Sequence, residues 1–504
     1  MPFKAEGLLD HGMVEDSSSL RIGSWKPSRL SRWNYDMLRP EFLSLRSNTP
    51  KKSLRSTAWL DGLRGFAAFI VYWHHNQLWA HDGKGNLIFE NAFGYEKRRY
   101  FAALPFVRLW FSGGHFAVAV FFVISGYVLS VKSLSLIHSG KTLSAAESLG
   151  SALFRRWMRL YIPIMLVTFS WMCFRHWSRI WTDNAEMPAT FREDVRMWYL
   201  TFKNYSFVFT GSWYEFPTLY HVHSWSIPVE FRGSIIVYTT LSALSRCTKT
   251  ARLWCQVGLM AYFLYIADGY YGTLFIGGML LCDLDLLAEE GQLPRFFTAL
   301  SGFKEFIFFH LFIVAMYLGG VPSDDDPKLD QVTLLSKSPG WRWLAHLKPQ
   351  AVFDAKWFYL TWAAILAVAS IPRLPLLKRF FETRFCQYLG RISFALYLVH
   401  GLVIWSLADR IYAAVGFARP RHKNGIPDWI DAFPLSTKGP MGLEVAFWLP
   451  QLIILPFTLY MAEVVTKLAD EPSVKFTDWL YRKALPQAPP QPPVLHKRAI
   501  SSAC

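Results

Sequence analysis

Apolar stretches of about 20 residues recur along this chain of 504 residues, each close to the length that crosses a hydrocarbon core as a helix. They fall near 58–80, 113–135, 159–175, 226–245, 252–267, 269–286, 303–320, 355–372, 391–412 and 443–466. The expected fold is therefore all-α, a polytopic transmembrane helix bundle of about ten helices. Charged residues make up only 18% of the chain, against roughly a quarter in soluble domains. The 22 Trp and 22 Tyr often stand at the ends of the apolar stretches, as an interfacial aromatic belt would.

The net charge of +16 lies largely in the termini and short loops. No basic stripe sits on a soluble domain, so nucleic acid is not an expected partner. About ten Lys and Arg in the first 55 residues and several in the last 25 place both ends in the cytoplasm by the positive-inside tendency. The basic runs at 96–99 and 419–423 fall on the other side of that topology. Three parts are expected: a flexible cytoplasmic tail at 1–55, a membrane domain at 56–468, and a Pro-rich basic cytoplasmic tail at 469–504. The first 50 residues hold no early apolar segment of the signal-peptide kind, so the first membrane helix is expected to act as an uncleaved anchor. The endoplasmic reticulum and the plasma membrane both fit. Two larger loops, about 176–222 and 321–354, face the lumen or exterior. The first carries Trp198, Tyr199, Tyr205, Trp213 and Tyr214, and is expected to pack on the bundle or line a substrate entrance. Six cysteines show no metal spacing and read as free thiols. No metal or nucleotide motif, and no internal repeat, is visible.

Ionisable residues inside the apolar stretches are costly and mark functional sites. WLDGLRGFAAFIVYWHHNQLWA (59–80) contains Asp61, Arg64, His74 and His75. Arg64 and His75 are eleven residues apart, which returns to within about 20° of one face and spans roughly 16 Å along the axis. A guanidinium suits phosphate and an imidazole can take a proton. The plain alternative for His75 is a core histidine bonded to a carbonyl. His74 points about 100° away and reads as a packing residue. Ser125-Gly126-Tyr127 puts a hydroxyl, a gap and a phenol deep in the second span, where a glycine-mediated helix contact is the competing reading. Arg156 and Arg159 lie one turn apart on one face, as a phosphate site or as a lipid-headgroup anchor. Glu230 enters an apolar span just after Pro228 and must be paired, protonated or hydrogen-bonded. His400, midway through another span that opens with Arg391, reads as helix–helix glue.

These elements, in this order, resemble the acyltransferase-3 family of integral membrane acyltransferases. DGLRGFAAFIVYWHH contains that family's R-x10-H pattern at Arg64 and His75. FFVISGYVLS is similar to its second-helix signature, RRWMR supplies an RxxR pair at Arg156 and Arg159, HSWSIPVEF matches a W-S-x-x-x-E block through Glu230, and LGRISFALYLVH matches the closing helix pattern ending at His400. FRGSIIVY departs from the aromatic pair usual after the glutamate. The resemblance implies transfer of an acyl group, often acetyl, from acyl-CoA as co-substrate, with no permanently bound cofactor. Acceptors in such proteins include carbohydrates, lipids and specialised metabolites; the chain resembles a stand-alone version, and its long polar N-terminus, large aromatic loop and Pro-rich tail suggest a eukaryotic, fungal member. The expected chemistry is O-acyl transfer to a hydroxyl, either direct or through an acyl-histidine. His75 would be general base, Glu230 or Tyr127 would orient the acceptor or stabilise developing charge, and Arg64, Arg156 and Arg159, with Ser125, would hold the donor. The expected partners are acyl-CoA, a hydroxylated small-molecule, lipid or carbohydrate acceptor, and membrane lipids. A transporter using the same buried charges is the rival class, and the absent repeats weigh against it.

Overall fold

A computed structural model describes residues 54–81, 91–183, 186–209, 215–323 and 331–486. The residues at Trp213 and Tyr214, nearly all of the expected N-terminal tail and half of the expected C-terminal tail lie outside the described set. The described chain is all-α, with no strand. Its main helices are α1 (Ala58–His81), α2 (Gly114–His138), α3 (Thr142–Ser178), α4 (Phe191–Ser206), α5 (Ser226–Leu244), α6 (Lys249–Tyr265), α7 (Tyr270–Glu289), α8 (Lys304–Gly319), α9 (Ala355–Ser370), α10 (Arg384–Val403), α11 (Val445–Val465) and α12 (Glu471–Ala484).

Seven segments among the described residues are long and apolar enough to cross a membrane: 114–138, 142–178, 270–289, 301–319, 355–373, 384–415 and 445–484. The chain is an integral, multi-pass membrane protein. The other three of the ten expected spans are helices too, but they fall outside that set. The helix α6 has only 17 residues, α5 carries Glu230 and Arg232, and α1 carries Asp61, Arg64 and three histidines. These ionisable residues make α1 and α5 polar, and the count of ten depends on them.

The order of contacts along the helices sets their directions. Trp59 meets Tyr127 at the start of α1 and Gly114 meets His74 near its other end, so α1 and α2 are antiparallel. Asp61 and Gly65 of α1 lie on Gly390 of α10, and His75 lies on His400, so those two are parallel. A side chain on Gly65 would occupy the backbone of Gly390, and one on Gly390 would reach the Asp61 carbonyl. The two backbones touch, as small residues permit in membrane helices. Gly126 makes the same kind of contact with the Phe275 backbone of α7, which supports the helix-contact reading of Ser125-Gly126-Tyr127.

Much of the first large loop belongs to the core. A Thr190–Glu193 capping box starts α4. Phe202 and Tyr205 of that helix, with Phe216 and Tyr220 beyond it, are buried against Tyr161 and Met172 of α3 and Leu398 of α10. The stretch 471–484, assigned from sequence to the tail, is the helix α12. It docks on α3 through Arg155, which pairs with Asp478 at 2.5 Å and covers the Tyr481 ring.

One buried ion network ties α2, α6 and α7 together. Asp283 is fully buried and accepts from Arg252 Nε at 2.7 Å and Nη2 at 2.8 Å, and from Gln256 Nε2 at 2.8 Å, with His138 Nε2 at 2.8 Å. Removing one partner strands a charge, which typically costs about 3–5 kcal/mol, whereas replacing the pair by apolar groups is often neutral. Arg252→Met is therefore expected to lower the melting temperature in detergent more than the double variant Arg252→Met/Asp283→Leu does. Equal or greater loss in the double variant would show that the network does not hold these helices by charge.

Candidate active site

Along α1 the polar side chains separate into two groups, guanidiniums near its start and imidazoles one helical stretch further on. The first group lines a cavity of about 190 Å³. Arg64 donates to the Gly390 carbonyl at 2.9 Å and approaches Asp61 at 3.3 Å. Arg156 donates from Nε to Ser234 Oγ at 2.8 Å and binds Glu230 through Nη2. Arg159 and Arg391 complete a set of four guanidiniums around the cavity, with Asp470 from the turn before α12. Arg159 has no hydrogen-bonded or ion-paired partner among the described residues, so its planar fork of donors is available to an anion. Ser125 lines the same space, and Phe121, Phe122, Ile227 and Phe394 give it apolar walls.

Two hydroxyls line this cavity on the side that adjoins the imidazoles. Tyr397 donates to the His223 carbonyl, so its own oxygen receives the proton of Ser226 Oγ at 2.7 Å. Both residues line the cavity, and His223 and His400 lie directly beyond them.

The second group is a cluster of three imidazoles. His75 Nδ1 lies 2.9 Å from His400 Nε2, with ring centroids 5.1 Å apart and planes 9° from parallel. Those values describe two rings bonded edge to edge in nearly one plane. His223 lies flat over them, 3.6 Å from the His75 centroid and 4.8 Å from that of His400. It comes from a short turn, Val222–Trp225, that enters the bundle ahead of α5. The turn is held by His221 Nε2 donating to the Leu398 carbonyl at 2.6 Å, and by the Tyr205 hydroxyl donating to the Ser224 carbonyl at 2.9 Å. Gly401 makes the room, because a side chain there would strike the His223 ring. His74 and His115 flank the cluster, with His74 5.2 Å from His75 and 5.6 Å from His115.

Three histidines whose ring nitrogens lie within 4.8 Å of one another are a recognisable ligand set for zinc or a similar ion. A shared ion must lie in the plane of every ring that binds it. Here the His223 ring lies over that of His75, 25° from its plane and 26° from that of His400, rather than sharing the plane of those two. One lone pair is already engaged in the His75–His400 bond. The His75–His400 contact gives the cluster a direct path along which a proton can be shared.

Measured against the sequence expectations, Arg64, Arg156, Arg159 and Ser125 meet in one cavity, and His75 lies further along the same helix. Glu230 sits with the guanidiniums, paired to Arg156, rather than beside the imidazoles. Tyr127 is not at either group. Its hydroxyl donates to Asp285 Oδ2 at 3.0 Å and its ring packs edge-on to Trp59, which removes it from the catalytic reading. His400, read as glue, touches the base candidate directly. His223 and Asp470 were not among the expected site residues, and Arg391 was noted only as the start of its span, although the repeat His221-Val-His223 just before Trp225-Ser226 was a signal in plain view.

Comparison with known proteins agrees with this architecture. A family described as acyltransferase domain matches residues 57–462. The chain is 31% identical over 493 residues to O-acetyltransferase PaAT-1 of Phomopsis amygdali, covering 91% of each chain. It is 24% identical to Acyltransferase clz18 of Cochliobolus lunatus, over 76% of this chain and 83% of that one. It is also 24% identical to Acyltransferase R4 of Phoma sp. (strain ATCC 20986 / MF5453), over 71% and 85%. No solved structure matches it significantly. With its membrane helices, its R-x10-H helix and a family match over most of its length, the chain belongs to the acyltransferase-3 family and is an acyltransferase.

Proposed function

We propose that the protein transfers an acyl group, acetyl foremost, from acyl-CoA to a hydroxyl of a small metabolite, lipid or carbohydrate, with His75 as general base. One observation carries this reading: a single helix, α1, contributes Arg64 to a cavity of four guanidiniums and His75 to a cluster of imidazoles. The phosphates of the donor would bind Arg64, Arg156, Arg159 and Arg391, with that end of the bundle toward the cytoplasm. The pantetheine arm would run past Ser226 and Tyr397, along the roughly 16 Å that separates eleven residues on a helix. Acetyl as the group transferred draws on the similarity to an O-acetyltransferase.

In the proposed step, His75 accepts the proton of the acceptor hydroxyl as the oxygen bonds to the thioester carbonyl carbon. The tetrahedral oxyanion collapses, the carbon–sulfur bond breaks, and the CoA thiolate takes the proton back from His75. The thioester is already activated, so the protein supplies position and a base. Glu230, held by Arg156, sets that guanidinium against the donor rather than handling the acceptor.

Transfer from labelled acetyl-CoA, with a fungal mycelial extract as acceptor pool, tests this in membranes. His75→Ala is expected to lower label incorporation by about 10²–10⁴, the usual contribution of general base catalysis. Equal labelling with and without the imidazole would overturn the assignment. Arg159→Ala is expected to raise the KM for acetyl-CoA by about ten- to a hundredfold, since a charge-assisted hydrogen bond is worth about 1.5–3 kcal/mol. An unchanged KM would place the phosphates elsewhere. Gly401→Ala should displace His223 from the cluster, cutting kcat by about tenfold or more while the KM for acetyl-CoA stays constant, because overpacking of this kind costs about 1–3 kcal/mol. Unaltered turnover in that variant would make the His223 stack dispensable.

A further inference from the structure

We infer that His400 is a positioning residue that fixes the tautomer of His75, leaving His75 Nε2 as the atom that takes the proton; this rests on the base role proposed above. The hydrogen bonds admit one consistent assignment. His400 Nδ1 lies 3.1 Å from the Leu396 carbonyl oxygen, which can only accept, so Nδ1 carries the proton. A neutral imidazole has a single N–H, so His400 Nε2 is an acceptor. The 2.9 Å contact with His75 Nδ1 is then donated by His75. With its proton on Nδ1, His75 presents a bare lone pair at Nε2.

The alternatives are physically poorer. Moving the His400 proton to Nε2 would set the Nδ1 lone pair against the carbonyl oxygen. Protonating both nitrogens would bury a cation with no carboxylate against either ring. The titratable groups facing His75 are His74 on its own helix, His115 from α2, His223 from the inserted turn and His400 from α10. All are imidazoles, so two of them cannot be charged at once without direct repulsion in a poorly screened interior. When His75 Nε2 receives the hydroxyl proton, the Nδ1–H bond to His400 strengthens and spreads the new charge over two rings. The edge-to-edge geometry, with planes 9° apart, is what that sharing requires. The carboxylate that often fills this place behind a catalytic histidine is here a neutral imidazole, tied in turn to the helix backbone.

The test uses purified full-length protein in detergent, acetyl-CoA as donor, a fungal mycelial extract as acceptor pool, and release of the CoA thiol as the signal. His400→Gln places an amide oxygen near the position of Nε2 and can still accept from His75. His400→Asn keeps a donor near Nδ1 for Leu396 but falls short of His75. The glutamine variant is expected to retain kcat within about tenfold, and the asparagine variant to lose about a hundredfold, the usual scale for partners of active-site histidines, with the KM for acetyl-CoA unchanged in both. Equal losses in the two, or a change in KM instead of kcat, would overturn the proposal. Nitrogen-15 spectra of histidine-labelled wild-type protein provide a measurement that needs no His400 variant to fold. The His75 signals, identified by their loss in His75→Gln, should show a protonated Nδ1 and a bare Nε2, and the reverse pattern would refute it. His75→Ala separates the two levels of the argument. Full activity there removes the base itself, whereas an inactive His75→Ala alongside indistinguishable His400 variants removes only the tautomer role.

Discussion

The contact between Gly65 of α1 and Gly390 of α10 is the constraint from which the site follows. Two backbones can touch there only because neither residue has a side chain. Once that point and the parallel direction are set, the pitch of the two helices dictates everything further along. Arg64 lands on the Gly390 carbonyl, and ten residues beyond each glycine His75 lands on His400. Equal spacing on parallel helices returns equal faces. The far end of α1 is pinned as well: Asp409 accepts from Trp79 Nε1 at 2.9 Å and Arg419 Nη2 at 2.8 Å, and Arg419 covers the Trp79 ring. A slip of α1 against α10 would break both ends together.

Charge is distributed along this axis as a membrane interior demands. Carboxylates and guanidiniums cluster together near the start of α1, where Asp61, Glu230 and Asp470 offset part of the positive charge. Around His75, deeper in the bundle, the nearest titratable groups are imidazoles, with His75 bonded to His400 and His400 to the Leu396 carbonyl, and the buried Lys356 faces His74 and His115. A neutral ring can be buried at a cost that a lone carboxylate cannot match. The chemistry proposed for this site needs a base only transiently charged, and a chain of imidazoles meets that need without a permanent ion.

How much of this was legible in the sequence depends on whether a residue acts through its own helix or through a neighbour. The spacing of Arg64 and His75, and that of Arg156 and Arg159, follow from helical pitch alone, and the structure keeps each pair on one continuous helix. The apolar stretches announced the bundle, although α1 and α5, which carry Asp61, Arg64, Glu230 and Arg232, are too polar to qualify as spans by composition. Tyr127 misled because position in a span says nothing of what a hydroxyl meets, and Asp285 claims it. His223 was hidden for the opposite reason. It lies in a stretch that periodicity assigns to a loop, and only the packing of Tyr205, Phe216 and Tyr220 against α3 carries that loop into the core. His400 looked like glue because its partner is 325 residues away in sequence.

The size of the guanidinium cavity bears on how a donor would lie in it. At about 190 Å³ it is below the roughly 300–1,000 Å³ of pockets that enclose a drug-sized ligand, and CoA is larger than such a ligand. Under the proposed function only the pantetheine arm and the phosphates held by the four guanidiniums enter, and the nucleoside end rests outside. Arg159, Asp470 and Val474 are among the residues that line the cavity, so a nucleotide on that side would meet the start of α12. That helix is held by Arg155 on α3, one residue from Arg156 inside the cavity. The segment that composition alone assigns to a polar tail is therefore the wall against which a donor too large for the cavity would have to settle.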